Sequence, residues 1–426
     1  MRNPPVPARR PPPRASVRCA ALATLLVLLL GAPPLVSALA SDTHAPQGWL
    51  LAALAQAATM IVFALSYNLL LGETGLLSFG HAAPAGLGAL VAAQCFNHYP
   101  VALPLLPFVG GLGGAVFGAL TALVAARRAG TAFAMITLGL GELVAAAAWA
   151  LPDWFGGEAG VAIDRASGPP LGGWTFGPDR EAYGVIAAWC VLASVALFAL
   201  TRTPFMRLVN AVRDNPVRAA ALGCSPARVR AAMLVGSGFF AGVAGTLALI
   251  NVELAASESV GIARSGAVLI ATVTGGAASF LGPVLGALVW VAFSVGIASV
   301  TRAWMLYVGL FFVVVVLAAP DGLAGLALRQ RELLARHGWR RCATLWAWAA
   351  LAVAAALGAL VPAVQWAYAV RFGDSYGDAG AGFAAMTSGV AGVLSAVLVG
   401  CGVVAAFAVR RVVLVMRAFE ATEGRQ

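Results

Sequence analysis

Lysine is absent from this chain: all 27 of its basic residues are arginine. A standard nucleotide-binding P-loop sets a lysine against the phosphates, so the chain carries no such loop and any ATP it depends on is hydrolysed elsewhere. Charge of either sign is scarce, at 10% of residues against about 25% in an average soluble domain. Too few polar side chains are left to cover a water-facing surface. Six cysteines (Cys19, Cys95, Cys190, Cys224, Cys342, Cys401) are scattered, most of them in or beside apolar runs. With no CxxC pair and no Cys/His cluster, neither a disulfide framework nor a metal site is indicated. HExxH and GxSxG are both missing, so Ser78 and His81, although neighbours at i, i+3, lack the surroundings of a protease nucleophile. No residue is assigned a catalytic role.

What is present is apolar sequence, with 61% hydrophobic residues and 49 glycines. A helix needs roughly 20 apolar residues to cross the hydrocarbon of a bilayer, and such runs recur at 19–40, 49–71, 75–96, 101–126, 131–151, 182–201 and 230–251. The stretch 265–300 is broken by Gly275-Gly276 and Gly282-Pro283 and reads as two short spans meeting near Leu281. Runs at 303–319, 343–370 and 383–409 follow. The expected fold is all-α, a polytopic transmembrane bundle of about ten core spans plus two extra spans at the C-terminus. Two readings of 19–40 stand, a first membrane helix or a signal peptide cleaved after Ala38-Leu39-Ala40.

The net charge of +10 invites a nucleic-acid reading, but the arginines form no solvated basic face. They sit between the apolar runs, at Arg127-Arg128, across 202–230, across Arg329–Arg341 and at Arg410, Arg411 and Arg417. Starting from an inner N-terminus, the ten-plus-two count puts every cluster inside, as the positive-inside rule asks. The division that results is a disordered basic tail at 1–18, a membrane domain at 19–326, a basic cytoplasmic linker at 327–342, and a further helix pair with a short tail at 343–426. Gly110, Gly114 and Gly118 recur every fourth residue, a face on which two helix backbones can approach closely.

The loop 202–230 has its own structure. Asn215-Pro216 is a helix start, Val217–Leu222 suits a helix, Gly223 supplies a left-handed stop, and Ser225-Pro226 opens the next span. A short capped helix given polar contacts by Arg213, Asp214 and Arg218 is expected there, as a docking element for a partner or as an interfacial helix on anionic lipid. Ionisable groups within spans are costly and often functional, which singles out Glu73, His81 and Glu142. Glu73 reads as a residue snorkelling at the inner end of its span. His81 either lines a path with Ser78 and Gly80 or is satisfied by neighbouring backbone. Glu142, with Thr137 a turn and a half earlier, lines a path or bonds another helix.

Several segments resemble a known family. Ser66–Ala82, reading SYNLLLGETGLLSFGHA, is similar to the NLLxGxxGxLSxGHA motif in the permease subunits of branched-chain amino acid ABC importers (the LivM/LivH type, with LivM the closer). Ala134–Glu142 resembles that family's TLxxGE helix, Ala211–Asp214 with Ala221–Gly223 its cytoplasmic loop, Thr274–Ala287 its glycine-rich segment, and Ala319–Leu323 its closing PxGL. The motifs run in family order from about 49 to 326. Where the family carries acidic residues near 214–220, this chain has Asn215, Pro216 and Ala220. The resemblance implies a permease for branched-chain or related amino acids, with Asn68, Ser78, Gly80, His81, Thr137 and Glu142 along the translocation path. It implies an ATPase-coupling loop at Arg213, Asp214, Asn215, Arg218 and Gly223. The chain itself would hold no cofactor, and ATP would serve two separate ATP-binding subunits beside a second permease and an external solute-binding protein. The location implied is the bacterial inner membrane, with both termini cytoplasmic. Urea, short amides or other small carboxylates are the alternative cargo, and an ion-coupled secondary transporter is the alternative class.

Overall fold

The computed structural model describes residues 15–40 and 48–337, with parts of the stretch 339–364. The chain falls into two compact units, Met1–Gly296 with Phe311–Gly325, and Ile297–Leu310 with Leu326–Gln426. Apart from a two-residue ribbon, regular structure in the described residues is helical. In order come α1 (Ala15–Ala40), α2 (Gly48–Asn68) continued by a π-turn (Leu69–Glu73), α3 (Ala82–His98), α4 (Leu106–Ala125), α5 (Thr131–Ala150) and the single turn α6 (Pro152–Phe155). Then follow α7 (Asp179–Thr201), α8 (Pro204–Asp214), α9 (Pro216–Ala221), α10 (Pro226–Val252), α11 (Ile262–Gly275), α12 (Leu281–Val291), α13 (Trp304–Ala318) and α14 (Gly322–His337). Proline opens α6, α8, α9 and α10 at the first turn, where its missing N–H leaves no bond unmade.

The expected count of about ten core spans plus two is not met. Among the described residues five helices are long and apolar enough to cross a membrane: Gly48–Glu73, Leu103–Ala125, Thr131–Ala150, Asp179–Thr201 and Pro226–Val252. The number rises to six only if the bent pair Trp304–Ala318 and Gly322–Ala335 is one broken span. The physical reason is that an apolar run does not oblige its residues to be helical where the protein itself covers them. The run 75–96 begins with the non-helical stretch 75–81, which leaves α3 with 17 residues. The stretch 265–300 gives a 14-residue helix and an 11-residue one extended by a π-turn at Ala292–Ile297. The apolar part of α1 is Leu22–Leu35, with Pro33 and Pro34 inside it. The run 383–409 lies wholly outside the described residues and the run 343–370 partly so, as does the tail 1–18 up to the start of α1. The basic stretch from 327 is helical as far as His337.

The centre of the first unit is a close packing of α3, α4 and α10. Lipid tails are as apolar as leucine, so association of helices in a bilayer relies on close van der Waals contact through small residues. Gly110, Gly114 and Gly118 of α4 face Gly238 and Gly242 of α10. A Cβ at Gly238 would lie 2.5 Å from the Gly114 carbonyl oxygen, and one at Gly118 would lie 2.5 Å from that of Leu234. Farther on, α11 and α12 pack on each other and on α2. The Gly275-Gly276 turn between them meets the Asp321-Gly322 turn, where a Cβ at Gly276 (φ +105°) would come within 3.4 Å of Gly322 Cα.

At the end of the bundle away from Arg128 and Arg230, β1 (Val161–Ala162) pairs antiparallel with β2 (Leu254–Ala255). Arg165 clamps this end by ion pairs to Asp179 at 2.9 Å and to Glu253. Burial works against its charge, yet the bonds to Asp179 and Glu253 outweigh it and hold the guanidinium above its ordinary value. Glu253 caps α10 in the left-handed region at φ +60°, a position usually left to glycine. At the other end Arg230 Nη1 reaches the Arg128 carbonyl at 3.4 Å, so two of the arginine clusters do share one end of the bundle. In the second unit Trp346 donates to Gln330 Oε1 at 2.5 Å and meets Trp339 edge-on.

Candidate functional site

The chain breaks its helix where the sequence is richest in motif. After the π-turn Leu69–Glu73, Gly75 takes φ +68° and the backbone runs non-helically to His81. Such backbone is tolerated at membrane depth only where protein satisfies it, and here distant elements do. Tyr67 Oη donates to the Ser78 carbonyl at 3.0 Å. The Phe79 amide donates to Thr137 Oγ1 of α5 at 3.3 Å, and the Ala82 amide to Ser265 Oγ of α11 at 2.9 Å. The break is thus tied to three helices by side-chain bonds.

His81 is 2% exposed. Its ring stacks on Phe63 (5.5 Å) and stands edge-on to Tyr67 (5.1 Å). Ser66 gives its one hydroxyl proton to the Phe63 carbonyl at 2.7 Å and sits 3.0 Å from His81 Nε2. With that proton spent, Nε2 carries the hydrogen and donates it to Ser66. Ser78, Gly80, His81 and Thr137 meet around a cavity of about 20 Å³, closed by Phe117 of α4 and Ser237 of α10, a space for about one water. Gly80 is obligatory: a Cβ there would run into the Thr137 carbonyl.

Asn68 and Glu142 are not part of this cluster. Asn68 is buried one turn before the break, and its Oδ1 has no hydrogen-bond partner among the described residues. Glu142 lines a larger cavity of about 650 Å³ between α3, α5, α10 and the start of α11. The two cavities follow each other along the same helices. Pro84, Thr137 and Ser237 line the small one, while Ala85, Glu142 and Gly245 line the large one, which opens toward the β1–β2 end.

The loop 202–230 folds as its residues ask. Asn215 Oδ1 accepts from the Arg218 amide at 2.9 Å, capping α9. Gly223 at φ +86° ends it, with the Cys224 amide returning to Ala219 O at 3.1 Å. The contact that sequence reasoning missed is between this loop and the helix break. Arg213 Nη1 donates to the Gly72 carbonyl at 2.5 Å and its stem packs on Gly75. One turn earlier on α8, Asn210 Nδ2, with the amide turned to fit, donates to Glu73 Oε2 at 3.1 Å and to Glu73 O at 3.0 Å. Glu73 therefore has a partner on α8, where the sequence suggested snorkelling. Among the described residues Asp214 pairs with Arg213, at 3.3 Å, and both are exposed.

Arg264 is a second omission. It is partly buried at the start of α11, on the wall of the large cavity. The sequence held a signal, a single arginine next to an apolar run and remote from every arginine cluster.

Glycine-packed helices long enough to cross a bilayer, around a buried helix break and a file of cavities, define a polytopic membrane protein. A family model described as "Branched-chain amino acid transport system / permease component" matches residues 49–320, and the chain belongs to that family. Curated relatives include the high-affinity branched-chain amino acid transport system permease protein LivM of Escherichia coli strain K12 and that of Salmonella typhimurium strain LT2. Each is 28% identical over 295 residues, covering 64% of this chain and 69% of the relative. No solved structure matches the chain. Membership makes the protein a permease component of an ABC importer, not an enzyme, and implies a system with ATPase and solute-binding partners.

Proposed function

We propose that this chain forms the translocation path for leucine, isoleucine, valine or related amino acids, as one of two permease subunits in a bacterial inner membrane. Residues 19–326 form the permease domain. Two ATP-binding subunits dock on α8–α9 at the cytoplasmic face, where both termini lie, and an external binding protein delivers the solute at the β1–β2 end. The observation that carries this reading is the latch of Arg213 and Asn210 on Gly72 and Glu73. It joins the capped loop, shaped for docking, to the helix break that leads within six residues to the small cavity. Force applied at Asp214, Asn215, Arg218 and Gly223 reaches Ser78, Gly80 and His81 through this bonded contact. The small cavity is then the closed point of the path and the large one its outer vestibule, with Thr137 and Glu142 on the same helix at the two levels. Asn68, whose buried Oδ1 is unpartnered, lies beside the moving turn.

Deletion of residues 213–223 tests this. The shortened chain should still insert in the membrane but lose the co-purifying ATPase subunits, and import should cease. Solute uptake driven by an ion gradient in liposomes holding this chain alone would overturn the reading in favour of a secondary transporter.

A further inference from the structure

Three charged side chains line the 650 Å³ cavity: Arg264 at the start of α11, Glu142 on α5, and Glu258 in the short turn before α11. They share one space, yet among the described residues no ion pair joins any two of them. Among the described residues Arg264 has no hydrogen-bond partner; its guanidinium carbon lies 5.8 Å above the Phe63 ring. Ser259 Oγ, on the same wall, is buried without a partner. The remaining lining is aliphatic or glycine, including Leu249, Val252 and Ile262. Ala248 and Val252 belong to the last two turns of α10, which puts the cavity at its outer end. Arg264 also borders a second cavity, of about 260 Å³, beside Gln56 and Asn251.

An unpaired guanidinium beside an apolar helix is costly, and such a group marks a functional site by default. A cation and two carboxylates held apart in one cavity are satisfied together by a molecule that carries both charges. We propose that this vestibule is a binding station for a zwitterionic α-amino acid. Arg264 takes the carboxylate by a two-pronged bond, Glu142 or Glu258 takes the ammonium, and Ser259 Oγ adds a hydrogen bond. The wall of Leu249, Val252 and Ile262 holds an aliphatic side chain. Urea lacks both charges and would leave Arg264 unmatched, so the station selects amino acids over amides. The proposal rests on the importer reading above and specifies where in this chain the solute first sits.

The test is uptake of labelled leucine, isoleucine and valine by the complete importer, reconstituted in liposomes with its partner permease, ATPase and binding-protein subunits. Wild type imports them. Arg264→Ala, assembled as shown by co-purifying ATPase, should lower uptake about tenfold or more. Arg264→Lys should recover part of it, a rescue that a purely structural role for the planar side chain would not give. Glu142→Gln combined with Glu258→Gln should cause a similar loss. Unchanged uptake by assembled Arg264→Ala overturns the station and leaves the importer reading standing. If that variant does not assemble, the glutamine pair decides, and wild-type uptake by it overturns the station. Import of urea but no amino acid by the wild-type complex also overturns the station while keeping the importer class. Absence of any ATP-dependent import by that complex overturns the importer reading itself.

Discussion

Arg213 joins two parts of the protein with one side chain. Its head group bonds the Gly72 carbonyl, in the last turn before the helix break, where carbonyls lack an intrahelical partner, and its stem covers Gly75. The pair with Asp214 is exposed and worth little, so the bond to Gly72 is the one that matters. Arg213→Ala should leave the ATPase subunits attached, because Asn215 still caps α9, but should cut the solute imported per ATP hydrolysed severalfold. Simultaneous measurement of uptake and phosphate release checks it, and an unchanged ratio would remove Arg213 from the coupling route. The Asn215 cap and the Gly223 stop were legible in the sequence because they are local, bonding residues three to five apart. The Gly72 contact was not, since 141 residues separate its partners.

At the scale of elements, glycine position decides which helices can meet. Gly236 and Gly238 sit two residues apart on α10, yet a Cβ at Gly236 meets nothing within 4 Å while one at Gly238 strikes the backbone of α4. Gly238→Val should therefore destabilise the protein by about 2 kcal/mol or more through overpacking. Gly236→Ala should be neutral or stabilising by up to about 1 kcal/mol, the helix-propensity gain. Thermal unfolding in detergent, followed by tryptophan fluorescence, distinguishes the two; equal effects would mean that the α4–α10 contact does not form. The four-residue glycine spacing on α4 was readable in advance, whereas the partner helix was not. The run 75–96 shows the opposite case. Its composition suggested a span, but Thr137 and Ser265, 58 and 183 residues away, satisfy the amides that a helix would otherwise have to pair.

At the largest scale, the importer reading proposed above sets the arginine-rich end and the ribbon end of the first unit on opposite sides of the membrane. Val217 on α9 is 79% exposed and Leu171 near the ribbon is 56% exposed. In a chain freed of its native cysteines, a membrane-impermeant thiol reagent added outside intact cells should label Leu171→Cys and not Val217→Cys. The reverse pattern would put α8–α9 outside and end the coupling proposal. The span count also belongs to this scale. Hydropathy measures how apolar a run is, not whether it is one straight helix, so the broken stretches at 75–96 and 265–300 inflated the expected number.

The sequence by itself determined that this is a membrane protein, that it carries no standard P-loop, that its helices pack through glycine and that α9 is capped. Each of these follows from composition or from bonds between near neighbours. The tertiary structure alone decided the helix break and its supports, the latch of α8 on Gly72 and Glu73, the number of full-length helices, and the meeting of Arg264 with Glu142 and Glu258 in one cavity. Those depend on groups far apart in the chain, and no local pattern encodes which distant side chain will satisfy a given backbone amide or share a space with a given charge.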